Sequence, residues 1–543
     1  MRPDKVDRGH AMDATVSTSI PEEAAGNSRL AVLLAMAMFV LVIDTSMMNV
    51  SISAVVKDLG TTVSGVQSAI ALEALVSAAF ILINSKIGDL IGRKRAYVVG
   101  LIAYAIGALT MALTQSLLPV IIFWAIFGGI GASLLLPAMQ SLIHGNFAGA
   151  AQAKAYALVG AAAAIAAAVG PLLGGFITTY LSWRVGFLLE VVIIAVVLSG
   201  INMVKDVPYT GPRAIDGVGA VCSIVGMGGV VLGILVWQEG GERVGALIAI
   251  GILALVALAF WLIRRKRENK PALLDPELFT SPHFRLGITQ QMLQQISLGG
   301  MMIALPIFLQ MVLEYNAMQA GLSLAPLSLS MFAIALLAGK RAGKRRPSVI
   351  IRAGFALLTV GVLLLILVVP RADVGWSLVI PLLIAGSGLG MMVSQLNNFT
   401  LAPISEERIS EAAGVNSAAG NFGLSFGLAF AGAIMLATLA FLFTSMAEES
   451  TVLSPTEQQQ VAVALEEDAQ VMSNTQLQEV IAGQPEATQE EIVRINTVAR
   501  PRALQVALLV PFIAGVVGLL LSFRSVRLPD IAPSASLEGV LGG

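Results

Sequence analysis

Apolar runs of about 20 residues, the length a helix needs to cross a bilayer core, recur along the whole of this 543-residue chain. They read as spans 30–54, 67–86, 97–114, 117–141, 155–178, 184–204, 216–238, 244–263, 286–313, 319–339, 349–369, 376–398, 414–445 and 503–523. The first shows why each is a helix. Residues 30–42 are unbroken apolar sequence, and in hydrocarbon a single segment satisfies its own backbone polar groups only as a helix. Composition agrees: 56% of residues are hydrophobic and 12% charged, against about 25% charged in soluble globular chains. The chain therefore reads as an all-α polytopic membrane protein with about fourteen transmembrane helices.

The same composition excludes several classes. A net charge of -1 does not point to a nucleic-acid partner. Cys222, the single cysteine, forms no intramolecular disulfide and leaves no CxxC motif. His10, His144 and His283 are the only histidines, and none lies inside a long apolar run. No nucleophile–base pair or metal cluster supports an enzyme, so neither cofactor nor metal is expected.

An even number of spans places both termini on one side. About 26 of the 33 Lys and Arg residues fall on that side, which the positive-inside rule makes cytoplasmic. They include Arg93, Lys94 and Arg95, then residues 264–267, then Lys340, Arg341, Lys344, Arg345 and Arg346. The expected organisation is a cytoplasmic tail (1–29), lacking a signal-peptide core, and a six-helix bundle (30–205). Two linker spans with an amphipathic cytoplasmic link follow (206–285), then a second six-helix bundle (286–527) and a second cytoplasmic tail (528–543). The link 264–285 carries Leu273, Leu274, Leu278 and Phe279 after its basic run. It is expected along the cytoplasmic membrane surface, anchored by anionic lipid. An extracytoplasmic helical loop is expected at 447–501. Its capping signatures begin at Ser454, Ser473 and Thr488, each a hydroxyl three residues before Glu or Gln, and predict short helices.

Asp44, Glu73 and Glu190 interrupt otherwise apolar spans. A charge at the bilayer centre costs roughly 2.5–3.5 kcal/mol on insertion scales, and no Lys or Arg in these spans stands out as a partner. Desolvation then favours the neutral acid. A carboxyl that takes up and releases a proton as its exposure changes is the chemistry of proton coupling. The alternative for each is a protonated acid hydrogen-bonded between helices. Arg184, nearer the outer surface, reads as an interfacial anchor.

The run Ile43-Asp44-Thr45-Ser46-Met47-Met48-Asn49-Val50 resembles the first-helix motif of the fourteen-helix drug:proton antiporter family, a branch of the major facilitator superfamily. Lys86-Ile87-Gly88-Asp89-Leu90-Ile91-Gly92-Arg93-Lys94-Arg95 resembles that superfamily's loop 2–3 motif, and Gly170-Pro171-Leu172-Leu173-Gly174-Gly175 its antiporter motif. Ser182-Trp183-Arg184 and Ile215-Asp216-Gly217 are similar to further marks of the branch. The resemblance runs from about residue 30 to residue 527. It implies a major facilitator fold of two six-helix bundles plus two extra central helices. It also implies a cytoplasmic gate at Gly88, Asp89, Gly92 and Arg93, and an export-associated element at Gly170, Pro171, Gly174 and Gly175. Gly88 and Gly92 suit a tight turn. Asp89 and Arg93 can pair at i,i+4, or Asp89 can face a helix N-terminus. Gly170-Pro171 supplies a bend, while Gly174, Gly175 and the alanine run 161–168 allow close packing. The chain departs from the pattern at Ser85 and Leu90, at Ala125 and Gly128 where arginine and glutamine are usual, and at Glu73 and Glu190. These departures point to a proton or cation site rebuilt around acids.

For a substrate path, Gln291, Gln294 and Gln295 share a helical face above Met301 and Met302. Asn49, Gln310, Asn398 and Asn421 add polar groups, and methionine fits varied shapes. Interhelical hydrogen bonding is the alternative for each. The stretch 339–346 echoes the loop 2–3 motif without its aspartate, as a duplicated half would. Together these readings predict a monomer in the cytoplasmic (inner) membrane. Its partners are protons, membrane lipids and a small amphiphilic or lipid substrate. The predicted activity is proton-coupled efflux of lipophilic, cationic or zwitterionic amphiphiles by alternating access. A lipid or glycolipid exporter of the same fold is the alternative, and a non-transporting scaffold or sensor the third reading.

Overall fold

The computed structural model describes residues 28–147, 149–206, 215–238, 241, 243–340, 345–404, 408–453, 458 and 474–529. Fourteen helical stretches among them are long and apolar enough to cross a membrane, and each coincides with a span read from the sequence. The first bundle comprises α1 (Ser28–Leu59), α2 (Val63–Ile91), α3 (Arg93–Leu113), α4 (Gly129–Asn146), α5 (Gly149–Tyr180) and α6 (Trp183–Ser199). A wide π-helical stretch, Val120–Gly128, leads into α4. The two extra spans are α7 (Gly217–Gln238) and α8 (Val244–Arg267). The second bundle comprises α9 (Pro282–Ile307), ending in π-helical Phe308–Val312, then α10 (Ala317–Lys340), α11 (Pro347–Val368), α12 (Val379–Leu401) and α13 (Ile409–Glu448). Its last span is α15 (Glu486–Ala507) running into α16 (Leu509–Arg527), with the short α14 (Asn474–Ile481) before it. Ser28 and Arg527 mark one end of the molecule, the basic end. The opposite end is the distal end.

The bundles meet along two seams: α5 against α10, and α2 against α13. These pairs are equivalent by position, since span two of each half meets span five of the other. Small residues make the first seam close. A Cβ on Gly175 would stand 2.5 Å from the Ala317 carbonyl oxygen, and one on Gly321 would stand 2.1 Å from that of Pro171. Hydrogen bonds make the second: Ser425 Oγ donates to the Ala71 carbonyl (2.6 Å) and Asn421 Nδ2 to Ser77 Oγ (3.1 Å). Gln310 Oε1 adds a distal tie by accepting from Ser53 Oγ at 2.6 Å and from its backbone N–H at 3.2 Å. The Thr179 hydroxyl accepts from the Met318 N–H at 2.9 Å. The α7–α8 hairpin flanks the second seam, with α7 packed on both α2 and α13.

Three expectations change. The apolar side chains of the link do not lie on lipid: Leu273, Leu274 and Leu278 are buried with Ala220, Leu262, Ile404 and Val415. The link is clamped by charge as well, because Lys266 and Arg408 both pair with Asp275 and Glu277. Second, the segment after Thr488 is no short loop helix. It belongs to α15, which starts two residues earlier behind Pro485 and continues into the membrane. At 40 residues, α13 is about 60 Å long at 1.5 Å per residue, twice the ~30 Å hydrocarbon core, so α13 and α15 project together past the distal end. Ser450 and Glu491 join them at 2.7 Å. Third, Arg184 pairs with Asp58, which also accepts from the Trp183 indole at 2.9 Å. The helix expected after Ser473 is α14, whereas the Ser454 signature lies outside the described residues. So do most of both tails, residues 341–344 of the echoed motif and residues 459–473 of the distal loop.

Candidate functional site

A cavity of about 330 Å³ lies between the two bundles, walled by α1, α2, α4, α5, α9, α10 and α13. Its wall is mostly apolar, with Met38, Leu41, Leu136, Met302 and Met331 among the lining residues. Polar atoms come from Thr45, Ser46, Asn49, Glu73, Ser77, Gln295, Ser328 and Asn421. Among the described lining residues Glu73 is the ionisable one, and no Lys or Arg joins it. Asn49 is held in a fixed pose, because its Nδ2 donates to the Thr45 carbonyl one turn back (2.8 Å) while its Oδ1 has no protein partner. The site therefore offers hydrogen-bond acceptors and a carboxylate inside an apolar wall.

Behind this wall, α1 carries Asp44, which is 1% exposed. The Tyr104 hydroxyl of α3 donates to its Oδ2, and the Trp124 indole N–H reaches Oδ2 at 3.0 Å and Oδ1 at 3.2 Å. Trp124 sits on the π-helical stretch, whose extra residue per turn re-aims side chains relative to a regular helix. Glu190 of α6 is 2% exposed, and neither of its carboxyl oxygens has a hydrogen-bond partner. Glu73 and Glu190 each interact electrostatically with Asp44, and all three with the Tyr104 hydroxyl. Of these three acids, distant in sequence, Asp44 is hydrogen-bonded to the tyrosine, and Glu73 and Glu190 act on it through space. Asp44 is provided with donors, Glu190 has none, and Glu73 faces the cavity.

The gate residues form a compact turn at the basic end. Gly92 has φ 99°, a region that favours glycine, and a Cβ there would meet Asp206 Oδ2 at 2.8 Å. Asp89 pairs with Arg93. The carboxylate at the N-terminus of α3 is Asp206, which accepts from the Lys94 N–H at 3.0 Å. In the antiporter motif, Gly170 lies against Ser46, Gly174 against Met47 and Val50, and Gly175 against α10. Pro171 also lines the cavity.

Of the residues expected on the substrate path, Asn49, Gln295, Met302 and Asn421 reach the cavity. Met301 does not: it is 0% exposed in the core. Gln294 is buried off the cavity, and Gln291 faces Gly420 of α13. Gln310 serves the distal tie to Ser53. Asn398 lines a separate small pocket at the basic end with His283, Ser348 and Ser525. Helical spacing puts Gln291, Gln294 and Gln295 on neighbouring faces of α9, but α9 packs on α13 so that of these three Gln295 meets the cavity. Tyr104, Trp124 and Asp206 were missed. The first two carried a readable signal, because a polar-tipped aromatic in an apolar span needs a partner when buried.

Comparison with known proteins places this geometry. The family model of the Major Facilitator Superfamily matches residues 34–428. The multidrug export protein EmrB of Escherichia coli K12 is 27% identical over 405 residues, covering 73% of this chain and 78% of that protein. The puromycin resistance protein pur8 of Streptomyces alboniger is 27% identical over 485 residues, covering 87% and 95%. The probable actinorhodin transporter of Streptomyces coelicolor is 26% identical over 427 residues, covering 76% and 73%. Among solved structures, a bacterial homologue of the human lysosomal transporter Spinster, in an inward-facing and unoccupied conformation, superposes with a TM-score of 0.58 at 12% identity, covering 94% of this chain and 98% of that one. A peptide transporter solved with sulfate gives 0.57 at 14%, covering 92% and 95%. With its fourteen spans, its two-bundle fold and a family match over most of its length, the chain belongs to the Major Facilitator Superfamily.

Proposed function

We propose that the protein exports lipophilic, cationic or zwitterionic amphiphiles across the cytoplasmic membrane in exchange for protons, by alternating access. The observation that carries this reading is Glu73. Among the described lining residues it is the ionisable group of an apolar cavity that no Lys or Arg lines, and it interacts electrostatically with a second acid, Asp44, sealed behind the wall. A cationic substrate neutralises Glu73, and so does a proton, so the two compete for one site. Competition of that kind is what exchange requires: loading a proton from one side discharges the cation to it. Asp44 and Glu190 form the remainder of the proton path, with Tyr104 between the acids. The relatives named for drug export and antibiotic resistance support the same class of substrate.

Positive-inside bias makes the basic end cytoplasmic, which places both termini inside and the projecting α13 and α15 outside. The distal ties Ser53–Gln310, Thr179–Met318 and Gly175–Ala317 then close the outer side, and the cavity reaches inward to Met38 and Met331. About 330 Å³ is at the small end of the range for drug-sized ligands, which favours a single small amphiphile over a two-chain lipid.

The test is transport in proteoliposomes under an imposed proton gradient, with a cationic dye and with a labelled lipid. Glu73→Gln is expected to lower gradient-driven dye transport at least about tenfold, equivalent to ~1.4 kcal/mol, with Glu190→Gln impaired in the same direction and both proteins still inserted. Full gradient-dependent dye transport in both variants would sink the proposal. Transport of the labelled lipid in place of the dye would redirect it to lipid export.

A further inference from the structure

The α7–α8 hairpin takes no part in the cavity, yet it carries a large groove at its basic end. We propose that this groove binds an anionic glycerophospholipid of the surrounding bilayer, with its phosphate on Arg265 and an acyl chain along Val218 and Val221. The groove measures about 770 Å³ and is lined by Ile215, Val218, Val221, Cys222, Trp261 and Arg265, together with Asp216 and Gly217. Ile215, Val218 and Val221 are 41%, 48% and 59% exposed. On a membrane-spanning hairpin such a surface meets acyl chains.

Its polar end selects the headgroup. Trp261 and Arg265 lie one helical turn apart, and the guanidinium sits 5.7 Å from the indole centroid. An amphipathic aromatic beside a basic head marks the headgroup level of a bilayer. Of the five N–H donors of a guanidinium, Nε and Nη2 of Arg265 each give one to the Pro271 carbonyl, at 2.9 and 2.6 Å. Among the described residues the other three have no partner, and they remain for a phosphate. Asp216, the one acid among the described lining residues, has three of its roughly four lone-pair sites engaged. Asp216 Oδ1 accepts from the Gly219 N–H (3.0 Å) and the Trp261 indole (2.9 Å), and its Oδ2 accepts from the Leu273 N–H (3.1 Å). Glu268, three residues on from Arg265, is engaged by Arg264 and Lys270. The adjacent Arg267 is exposed. The lipid contact expected of the link thus falls on the hairpin, and it stands whatever the central cavity transports. Since α7 packs on α2 and α13, a lipid seated here braces the flank of the seam that carries Glu73 and Asn421.

Cys222 lines the groove and is the sole cysteine, so its alkylation reports occupancy without background. The experiment measures the rate of reaction with N-ethylmaleimide in nanodiscs of phosphatidylcholine alone and with a minority of phosphatidylglycerol. Phosphatidylglycerol is expected to slow the reaction about fivefold, the factor set by the ~1 kcal/mol that one surface cation contributes toward anionic lipid. Arg265→Gln is expected to abolish the difference between the two disc types. Equal rates in the two disc types for the unaltered protein, or slowing that persists in Arg265→Gln, would overturn the assignment. If Arg265→Gln changes the rate in phosphatidylcholine alone, the decision passes to two variants. Arg265→Lys must keep the lipid-dependent slowing and Val221→Trp, which fills the groove, must lose it, and failure of either overturns the site.

Discussion

Asp44 depends on its two donors. A buried carboxylate is tolerable only when hydrogen bonds replace the water it lost, and here Tyr104 and Trp124 supply them. A hydrogen bond to a charged group contributes about 1.5–3 kcal/mol. Tyr104→Phe and Trp124→Phe are each expected to slow proton-driven transport about tenfold, the effect of ~1.4 kcal/mol, while dye binding in the cavity is retained, since neither side chain lines it. Flux assays paired with equilibrium dye binding read the two effects apart. Unchanged flux in both variants would make the donors packing groups. At this scale the sequence was half legible. Acids inside apolar spans stand out because insertion is costly, so Asp44, Glu73 and Glu190 could be read directly. Their electrostatic link through Tyr104 could not, because residues 44, 73, 104 and 190 come within reach of one another only once four helices have packed.

At the scale of elements, hydropathy located all fourteen spans and misjudged what lies beyond the bilayer. Outside hydrocarbon, helix propensity and packing replace apolarity as the signal. The distal part of α15, residues 486–501, therefore fell inside the expected loop, although Ile492, Ile495 and Ala499 bury the inner face of α15. The link failed for a related reason: an amphipathic pattern states that a face is buried, not against what. Asp216 is the residue that settles it. Its carboxylate caps α7 at Gly219, holds α8 at Trp261 and fixes the link at Leu273. Asp216→Ala leaves these three donors without their acceptor, which costs on the order of 2–4 kcal/mol. Purified Asp216→Ala should therefore melt several degrees below the unaltered protein in a thermal-shift assay, and Asp216→Asn, which keeps an acceptor oxygen, should recover part of the loss. Identical melting of all three would show that the junction contributes nothing.

At the scale of the molecule, two seams of opposite character join the bundles. The α5–α10 seam is made mainly by glycines at backbone contact, so that two helices can rock with little to break beyond the distal Thr179–Met318 hydrogen bond. The α2–α13 seam carries hydrogen bonds and is buttressed by α7. Alternating access in this chain then requires the distal part of α5–α10 to separate on each cycle, with α2–α13 as the stiffer side. Thr179 and Met318 touch across that distal part. Thr179→Cys with Met318→Cys, in a Cys222→Ser background, is expected to form a disulfide on oxidation, to stop gradient-driven dye export and to regain it on addition of reductant. Dye should still bind to the cross-linked protein from the basic end, because the cavity extends that way to Met38 and Met331. Export that continues at full rate with the cross-link complete would mean that the distal seam does not open, and the rocking of α5 against α10 would have to be abandoned.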